Sequence, residues 1–220
     1  MSAGEPLRPI FPLDLVLLPT ERLPLHIFEP RYKAMVRRSL AEDAPFGLLW
    51  MNEGIQANVG CWAEIDSILR EYPDGRRDLL VVGRDRFRVR SIREHEDGYL
   101  EAETEPLVDF EPGDPEARAL LLQLFAECHR LSVARAAPPG SGPVEAELDE
   151  QLIEPTDGYT FLLAARIELP PSDEQELLES ESESSREHLL LAHLAQLRPR
   201  LQLQLETLER VRGNGRVHHG

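Results

Sequence analysis

The spacing of apolar residues changes once along the chain, near residue 108, and this change constrains the fold more than any other feature. Before it, short apolar runs often alternate with polar residues at a period of two, which is typical of half-buried β-strands. After Pro115, apolar residues recur every three or four positions, as in amphipathic helices. The intervening linker contains two prolines and a glycine. We therefore predict an α+β protein with a β subdomain over 1–108, a helical subdomain over 109–212 and a flexible tail over 213–220.

The first half contains several short strand candidates and one helix. The runs "IFPLDLVLLP" and "LPLHIF" are punctuated by prolines, as in strands near a sheet edge, while "FGLLWM" and "DLLVVG" are typical of buried strands. A helix is predicted over Pro30–Leu40, because proline suits the first helical turn and apolar residues then follow at helical spacing. Short strands with one inserted helix indicate a small β-barrel.

A β-hairpin is predicted around Asp97-Gly98, a dipeptide that favours a two-residue turn. This turn would place Glu94 opposite Glu101. It would also gather one charged face, made of Arg86, Arg88, Arg90, Glu103 and Glu105. The earlier run "VGCWAEIDSIL" has apolar residues at the odd positions Val59, Cys61, Ala63, Ile65 and Leu69, which predicts a half-buried strand.

The second half is predicted to be a helical bundle that ends in a long helix. A stripe from Ala117 to Leu131 predicts the first helix, and "AAPPGSGPVEAELDE" predicts a loop. A short buried helix in "GYTFLLAARIEL" and a short helix capped by Asp or Ser in "PPSDEQELLES" follow. The last helix is predicted to begin near Ser185. Its leucine seam continues across Pro199, which favours one helix kinked there, and consists of Leu190, Leu194, Leu197, Leu201, Leu205 and Leu208. Two helices that meet at Pro199 are the alternative.

The charge of the chain limits its chemistry. Its formal net charge of −16 makes nucleic acid a poor default partner, because phosphate groups would be repelled. Lys33 is the only lysine, and it lies in "RYKAM" rather than in the Gly-Lys-Ser/Thr motif of a nucleotide-binding loop. The sequence therefore argues against an ATPase, and it disfavours peptidase or Schiff-base chemistry that depends on lysine.

The sequence also predicts a cytoplasmic protein without cofactors or metals. It contains no apolar run of about 18 residues that would span a membrane, and "MSAGEPLRPIF" lacks the pattern of a signal peptide. Cys61 and Cys128 are predicted to be buried apolar residues rather than disulfide partners or zinc ligands. His188 and His193 are five residues apart on a helix, a spacing that does not suit zinc.

The stretch "FPLDLVLLPTERLPLHIFEPRYKAMV" closely resembles the opening of the substrate-binding domain of Lon-type ATP-dependent proteases. Further similar segments follow in order: "FGLL", "VGCWAEI", "DGRRDLLVVGRDRFRV" and "LLAARIELPPSDEQELLESES". The resemblance covers about residues 8–210. It implies a PUA-like β-barrel followed by a helical bundle, in agreement with the change of period near residue 108. The chain lacks the ATPase and the peptidase of that family and so resembles a stand-alone Lon domain.

The resemblance implies a non-catalytic module that binds unfolded or tagged polypeptides, acting as an adaptor in protein quality control with a protease or chaperone as a further partner. Binding in an apolar groove between barrel and bundle and strand addition at a barrel edge are both open modes. Two alternatives remain: a small hydrolase with a pocket in the barrel, and RNA binding by the barrel through the arginine stripe Arg86, Arg88 and Arg90.

Two interpretations of "LPLHIFEPRYKAMV" remain open. In the first, it is a strand-to-helix corner in which Glu29 favours the helix N-terminus, Tyr32 packs by its ring, and Glu29 or Arg31 pairs with a barrel charge such as Arg86. A lone strand histidine such as His26 is then a hydrogen-bonded structural group. In the second, Phe28, Arg31 and Tyr32 border a groove that binds peptide, because aromatic residues and arginine serve as binding anchors.

Overall fold

A computed structural model of the chain describes residues 7–52, 54–138 and 158–214. Its contacts divide the chain into two units. The first unit contains residues 1–110 and 164–181, and the second contains residues 111–163 and 182–220. Most of the loop predicted in "AAPPGSGPVEAELDE" lies outside the described residues.

The first unit is a mixed β-sheet that closes on itself. Its strands are β1 (Arg8–Leu13), β2 (Arg22–Ile27), β3 (Phe46–Asn52), β4 (Ile55–Gln56), β5 (Val59–Glu71), β6 (Arg77–Glu94) and β7 (Leu100–Leu107). They pair in the order β1-β7-β6-β5-β3, and β1 also pairs in parallel with β3, which closes the ring. β2 adds to β6, and β4 adds to β3. The predicted α+β class and the β-barrel are confirmed.

The interior of this ring is filled by side chains. Ile10, Leu49, Phe87 and Ala102 are fully buried and form one cluster. Gly47 and Gly60 make room for the Phe87 ring, since a Cβ on either glycine would lie 2.6 Å from Phe87 Cζ. Close packing of this kind leaves little tolerance for a change in side-chain volume.

The inserted helix is α1 (Pro30–Glu42), and it begins at the predicted proline. Its buried face contains Tyr32, Met35, Val36 and Ser39, at the i, i+3, i+4, i+7 spacing of an amphipathic helix. Leu40, which was predicted to complete this face, is instead exposed. Leu69 on β5 is exposed as well, because register shifts on both sides of Ile68 interrupt the alternation on which its prediction rested.

The predicted hairpin forms between β6 and β7, but its register differs by one residue. Glu94 pairs with Leu100 rather than with Glu101. The His95 N–H donates to the Tyr99 carbonyl at 2.8 Å, so the loop has three residues, and its last residue, Gly98, has a φ of +82°. A left-handed glycine at this place is typical of three-residue hairpin loops. The Asp-Gly dipeptide alone does not distinguish the two loop lengths.

The segment 164–181 was predicted to belong to the helical half, but its contacts place it in the first unit. It contains α4 (Pro171–Glu179), which packs on β5: the Gln175 side-chain amide donates to the Val59 carbonyl at 3.1 Å. The predicted cap by Asp or Ser was wrong. Pro170 is the N-cap residue and no side chain caps the helix. The fixed φ of Pro171 at the first helical position supports this start.

The arginine stripe only partly forms the predicted face. Arg90 bonds to Glu105 as predicted, whereas Arg88 bonds to Glu181 at 2.5 Å. Arg86 is buried and donates to Asp109 and to the Leu178 carbonyl, at 2.5 and 2.8 Å. Arg86 thus holds the end of α4 against β6 rather than pairing with the corner of β2 and α1. All three arginines have a carboxylate partner.

Glu174 on α4 gives the first unit a dependence on pH. Burial, and then the nearby carboxylates of Glu21 and Asp173, raise the pKa of Glu174 from its ordinary value of 4.5 to about 7. The folded state therefore binds more protons than the unfolded state between these two values, and stability falls as pH rises through this window. Above pH about 7 the loss is complete.

We expect Glu174→Gln to raise the melting temperature at pH about 8 and to change it little at pH about 4, where the native glutamate is largely protonated in both states. Differential scanning fluorimetry across this range measures the difference. Glu176→Gln, on an exposed position of the same helix, is the matched control and should not alter the pH profile. An equal gain at both pH values would contradict the assignment.

The second unit is helical. It contains α2 (Pro115–Ala136), most of α3 (Tyr159–Ala164) and α5 (Glu183–Asn214). The leucine seam is buried at Leu190, Leu194 and Leu201 and half-buried at its other three leucines, and Pro199 lies inside one continuous helix. This helix begins two residues before Ser185 and continues two residues into the predicted tail. Residues 215–220 lie outside the described part of the chain.

A network of buried charged groups joins α3 to α5. Arg186 is fully buried, and its guanidinium donates to Glu183 at 2.5 Å and to the Thr160 hydroxyl at 2.9 Å. Glu183 also accepts the backbone N–H groups of Gly158 and Thr160, both at 3.1 Å. The ring of Phe161 lies 4.4 Å from the guanidinium carbon. The charge of Arg186 is therefore compensated on several sides.

Candidate functional site

The corner between β2 and α1 exposes an aromatic side chain on a fixed backbone. Leu25 and Ile27 are buried, so the alternation of the strand places His26 on the opposite side. Phe28 follows the strand and is 57% exposed. Its ring stacks on the imidazole of His26, with 5.8 Å between centroids. This stacking restrains Phe28 although most of its surface meets solvent.

His26 is held by a hydrogen-bonded chain of side chains. Its Nδ1 lies 2.5 Å from a carboxylate oxygen of Asp78, the residue that pairs with it on β6. The Tyr72 hydroxyl donates to the other oxygen of Asp78 at 2.8 Å. These two hydrogen bonds, the one with His26 being the stronger influence, hold the pKa of Asp78 below its usual range. Asp78 is therefore an acceptor at neutral pH, and His26 is hydrogen-bonded, as the first interpretation of this stretch predicts.

Cationic side chains surround this chain of hydrogen bonds. The guanidinium carbons of Arg70 and Arg76 lie 4.6 and 4.8 Å from the centroid of Tyr72. Lys33, on the first turns of α1, donates to the Asp74 carbonyl at 3.0 Å, and the Asp74 carboxylate accepts from Arg76 at 2.7 Å. We refer to the whole set as the corner surface: His26, Phe28, Lys33, Arg70, Tyr72, Asp74, Arg76 and Asp78.

The three residues predicted as binding groups occupy different environments. Phe28 is exposed, whereas Tyr32 is only 6% exposed and its ring lies 4.2 Å from that of Phe11. Arg31 is exposed and lies 4.5 Å over the Tyr32 ring, while its Nε donates to Glu29 at 2.9 Å. Arg31 is thus paired within the corner, and the expected pairing of Glu29 or Arg31 with Arg86 does not form.

Sequence reasoning missed Tyr72 and Asp78, which complete the corner surface. They lie in the β5–β6 hairpin, about fifty residues after His26, and only the pairing of β2 with β6 brings them to it. Neither residue has a local sequence signal that connects it to the corner. Only the pairing of β2 with β6 shows that Asp78 lies opposite His26.

Two groups of the corner surface, His26 and Asp78, are of the kind that takes part in hydrolysis. His26 and Asp78 resemble the base and its orienting carboxylate, but the contacts of the corner surface include no serine or cysteine nucleophile. Cys61 is fully buried, and burial raises the pKa of its thiol, so the reactive thiolate is disfavoured. Both cysteines are free and buried, as predicted. Within the described residues, no cluster of side chains suits a metal ion.

The geometry suits binding: an exposed aromatic ring lies beside a hydrogen-bonded histidine, and two guanidinium groups lie against the neighbouring ring of Tyr72. No described helix has both the length and the apolar character needed to cross a membrane. The exposed ring of Phe28 and the polar groups around His26 suit a partner of mixed apolar and polar character.

Comparison with known proteins gives this surface a context. Among curated proteins, the chain is 35% identical over 95 residues to "Protein cereblon" of Xenopus tropicalis. The aligned region covers 41% of this chain and 21% of that protein. It is 32% identical over 139 residues to the Lon protease of Lawsonia intracellularis. This aligned region covers 62% of this chain and 16% of that protein. The chain thus spans about a fifth of the length of these curated relatives.

Solved structures show the same fold. A Lon N-terminal domain protein from Xanthomonas campestris has a TM-score of 0.61 at 26% identity, covering 85% of this chain and 98% of its own. The N-terminal domain of the Mycobacterium avium complex Lon protease has a TM-score of 0.62 at 17% identity, which supports the fold alone. The family described as the ATP-dependent protease La (LON) substrate-binding domain matches residues 8–196. The chain therefore belongs to the LON substrate-binding domain family.

Proposed function

We propose that this chain binds extended polypeptide segments at the corner surface and performs no chemistry on them. The observation that carries the proposal is an exposed, stacked Phe28 in a domain whose family is described by substrate binding. Unfolded chains display aromatic and aliphatic side chains that folded proteins bury, and an exposed ring can take such side chains out of water. The finer role that we propose is that of an adaptor which delivers polypeptides to a protease or a chaperone.

The arrangement of the corner supports Phe28 as the anchor. Hot-spot residues bind well when their own conformation is restrained before the partner arrives, because less side-chain entropy is lost. The His26 ring supplies this restraint, and Asp78 in turn fixes His26. Arg31, which lies over the buried ring of Tyr32, borders the same corner of β2 and α1. We propose that Phe28 and Arg31 contact the bound segment directly and that Tyr32 supports Arg31.

The filled interior of the β-barrel argues against the alternative of a hydrolase. An enzyme of this type needs a concave pocket with converging polar groups. The interior of the ring instead holds Phe87 and its apolar neighbours, with glycines at the closest contacts. The pair of His26 and Asp78 lies on the outer side of the sheet. We therefore propose that the chain is not an enzyme.

RNA binding was the second alternative, and the ion pairs of the arginine stripe weigh against it. Arg86, Arg88 and Arg90 each bond to a carboxylate, so little positive potential remains for phosphate groups. The net charge of −16 adds long-range repulsion. We propose polypeptide rather than nucleic acid as the partner.

Phe28→Ala is expected to weaken the binding of an unfolded polypeptide by about tenfold, because the anchor ring is removed while the buried core is untouched. Fluorescence anisotropy with labelled, reduced and carboxymethylated α-lactalbumin measures the affinity. The native, disulfide-bonded form of the same protein should not bind. Gel electrophoresis of the mixture after long incubation should show no cleavage.

Leu203→Ala is the matched control, because Leu203 is a comparably exposed apolar side chain on α5, in the other unit. It should leave the affinity unchanged. Equal losses for the two variants would locate binding elsewhere, and no binding of unfolded protein at high micromolar concentration would contradict the proposed function itself.

A further inference from the structure

The corner surface has an unusual local charge for this chain. Residues 26–33 and 70–78 contain five basic and four acidic residues, whereas the whole chain has a net charge of −16. Most of the charged groups in these two segments form ion pairs with one another, including Arg76 with Asp74 and, beside the corner surface, Arg77 with Glu71. The excess is therefore only one positive charge. Whether this region can bind an anion depends on which cations still have free hydrogen-bond donors.

Two cations of the corner surface have that capacity. Within the described residues, neither Arg70 nor Lys33 forms an ion pair: Arg70 lies over the Tyr72 ring, and Lys33 donates only to a backbone carbonyl. Stacking on a ring leaves the edge of a guanidinium group, with its five N–H donors, available to a ligand. The Lys33 ammonium likewise keeps two of its three donors.

These donors and Phe28 belong to one connected surface. Phe28 contacts His26, His26 contacts Tyr72, and Tyr72 carries Arg70. Lys33 reaches the same hairpin through the Asp74 carbonyl. A single extended segment bound at Phe28 would therefore pass within reach of a cation.

We infer that the corner surface selects polypeptide segments in which a carboxylate lies close to an apolar residue. Phe28 takes the apolar side chain, and Arg70, assisted by Lys33, takes the carboxylate of an aspartate, a glutamate or a chain terminus. Guanidinium and carboxylate groups form paired, charge-assisted hydrogen bonds that are stronger than neutral ones. This inference rests on the proposed function and specifies the class of segment that it accepts.

The negative charge of the rest of the chain favours a ligand with a single anionic group over a polyanion. A polyanion such as RNA would be repelled by the acidic residues around the molecule, while a single carboxylate flanked by apolar residues meets little of this repulsion. Segments with one carboxylate would thus be selected by a local cation, while the acidic remainder of the protein repels polyanions.

A set of three fluorescein-labelled peptides tests the inference by anisotropy. The peptides share the same leucine and phenylalanine residues and differ only in their flanking residues, which are glutamate, glutamine or lysine. We expect the glutamate peptide to bind about fivefold more tightly than the lysine peptide at low ionic strength. This preference should shrink at high ionic strength, because the contacts are exposed and salt screens them.

Charge-removing variants then locate the effect. Arg70→Gln and Lys33→Gln should each reduce the affinity for the glutamate peptide by about threefold and leave that for the glutamine peptide unchanged. Arg70→Lys, which keeps the charge, should retain part of the preference. Arg84→Gln is the matched control, since Arg84 is an exposed arginine on β6 that is already bonded to Glu64.

Each remaining outcome is decisive. If the glutamate and lysine peptides bind equally while Phe28→Ala still weakens binding by about tenfold, the inference is overturned and the proposed function stands. If no peptide binds, the proposed function fails. If labelled oligouridine displaces the glutamate peptide at physiological salt, the surface binds nucleic acid and the inference is overturned.

Discussion

Replacing Arg186 with leucine is expected to lower the free energy of unfolding of the second unit by about 3–5 kcal/mol, because the change leaves a buried carboxylate without its cation. Glu183 would keep its backbone hydrogen bonds, but its negative charge would remain in a region that water hardly reaches. Leucine is apolar and fits the space only in part. The loss would therefore combine an uncompensated charge with imperfect packing.

Urea unfolding followed by the helical circular dichroism signal measures this loss, since the long helices α2 and α5 lie in the second unit. Arg198→Leu is the matched control: Arg198 pairs with Glu127 at an exposed position of the same helix, and its loss should cost less than about 1 kcal/mol. Adding Glu183→Gln to Arg186→Leu should restore part of the stability, because the isolated charge disappears. A loss for Arg186→Leu no larger than the control would contradict the assigned role.

Replacing Phe87 with alanine is expected to destabilise the first unit by about 3–5 kcal/mol, because the change opens a cavity at the centre of the closed sheet. Phe87 is fully buried, and its ring lies 4.2 Å from that of Trp62. Trp50 and Trp62 are the only tryptophans, and both lie in the first unit, so their fluorescence reports its unfolding selectively. Phe110→Ala removes a ring that is 70% exposed and should cost less than about 0.5 kcal/mol.

A double-mutant cycle tests the cause of this effect. Gly47→Ala alone should be destabilising, because the new Cβ would collide with the side chains of Phe87 and Ile10. In a Phe87→Leu background the same Cβ gains room, so the two substitutions together should cost less than the sum of their separate costs. Strict additivity would show that Gly47 does not serve to accommodate the ring.

The periodic parts of the fold could be predicted from the sequence because their signals are local. Pro30 marks the start of α1, and the seam of leucines on α5 is visible on both sides of Pro199. The register of β6 against β7 could not be read in the same way, because the Asp-Gly turn is compatible with two loop lengths that differ by one residue. The location of α4 depends on bonds from Arg86 and Gln175, which join residues about a hundred positions apart.

Only the part of the candidate site that lies between β2 and α1 could be predicted from the sequence. Phe28 stands out as an aromatic residue between a strand and a proline-initiated helix, and its neighbour His26 was recognised as a structural group. Tyr72 and Asp78 approach it through the pairing of two strands that are distant in sequence. The surroundings of His26 were therefore not contained in any one segment of the sequence, and the same holds for the cations on the β5–β6 hairpin.

The position of Lys33 on the corner surface has a practical consequence. Reagents that react with primary amines, such as ester dyes and carboxymethyl sensor chips, can attach to this chain only at its amino terminus and at Lys33, since no other lysine exists. Attachment at Lys33 would place the linker beside Asp74 and block the surface where we expect a partner to bind. Immobilisation through an affinity tag keeps that face open to its ligand.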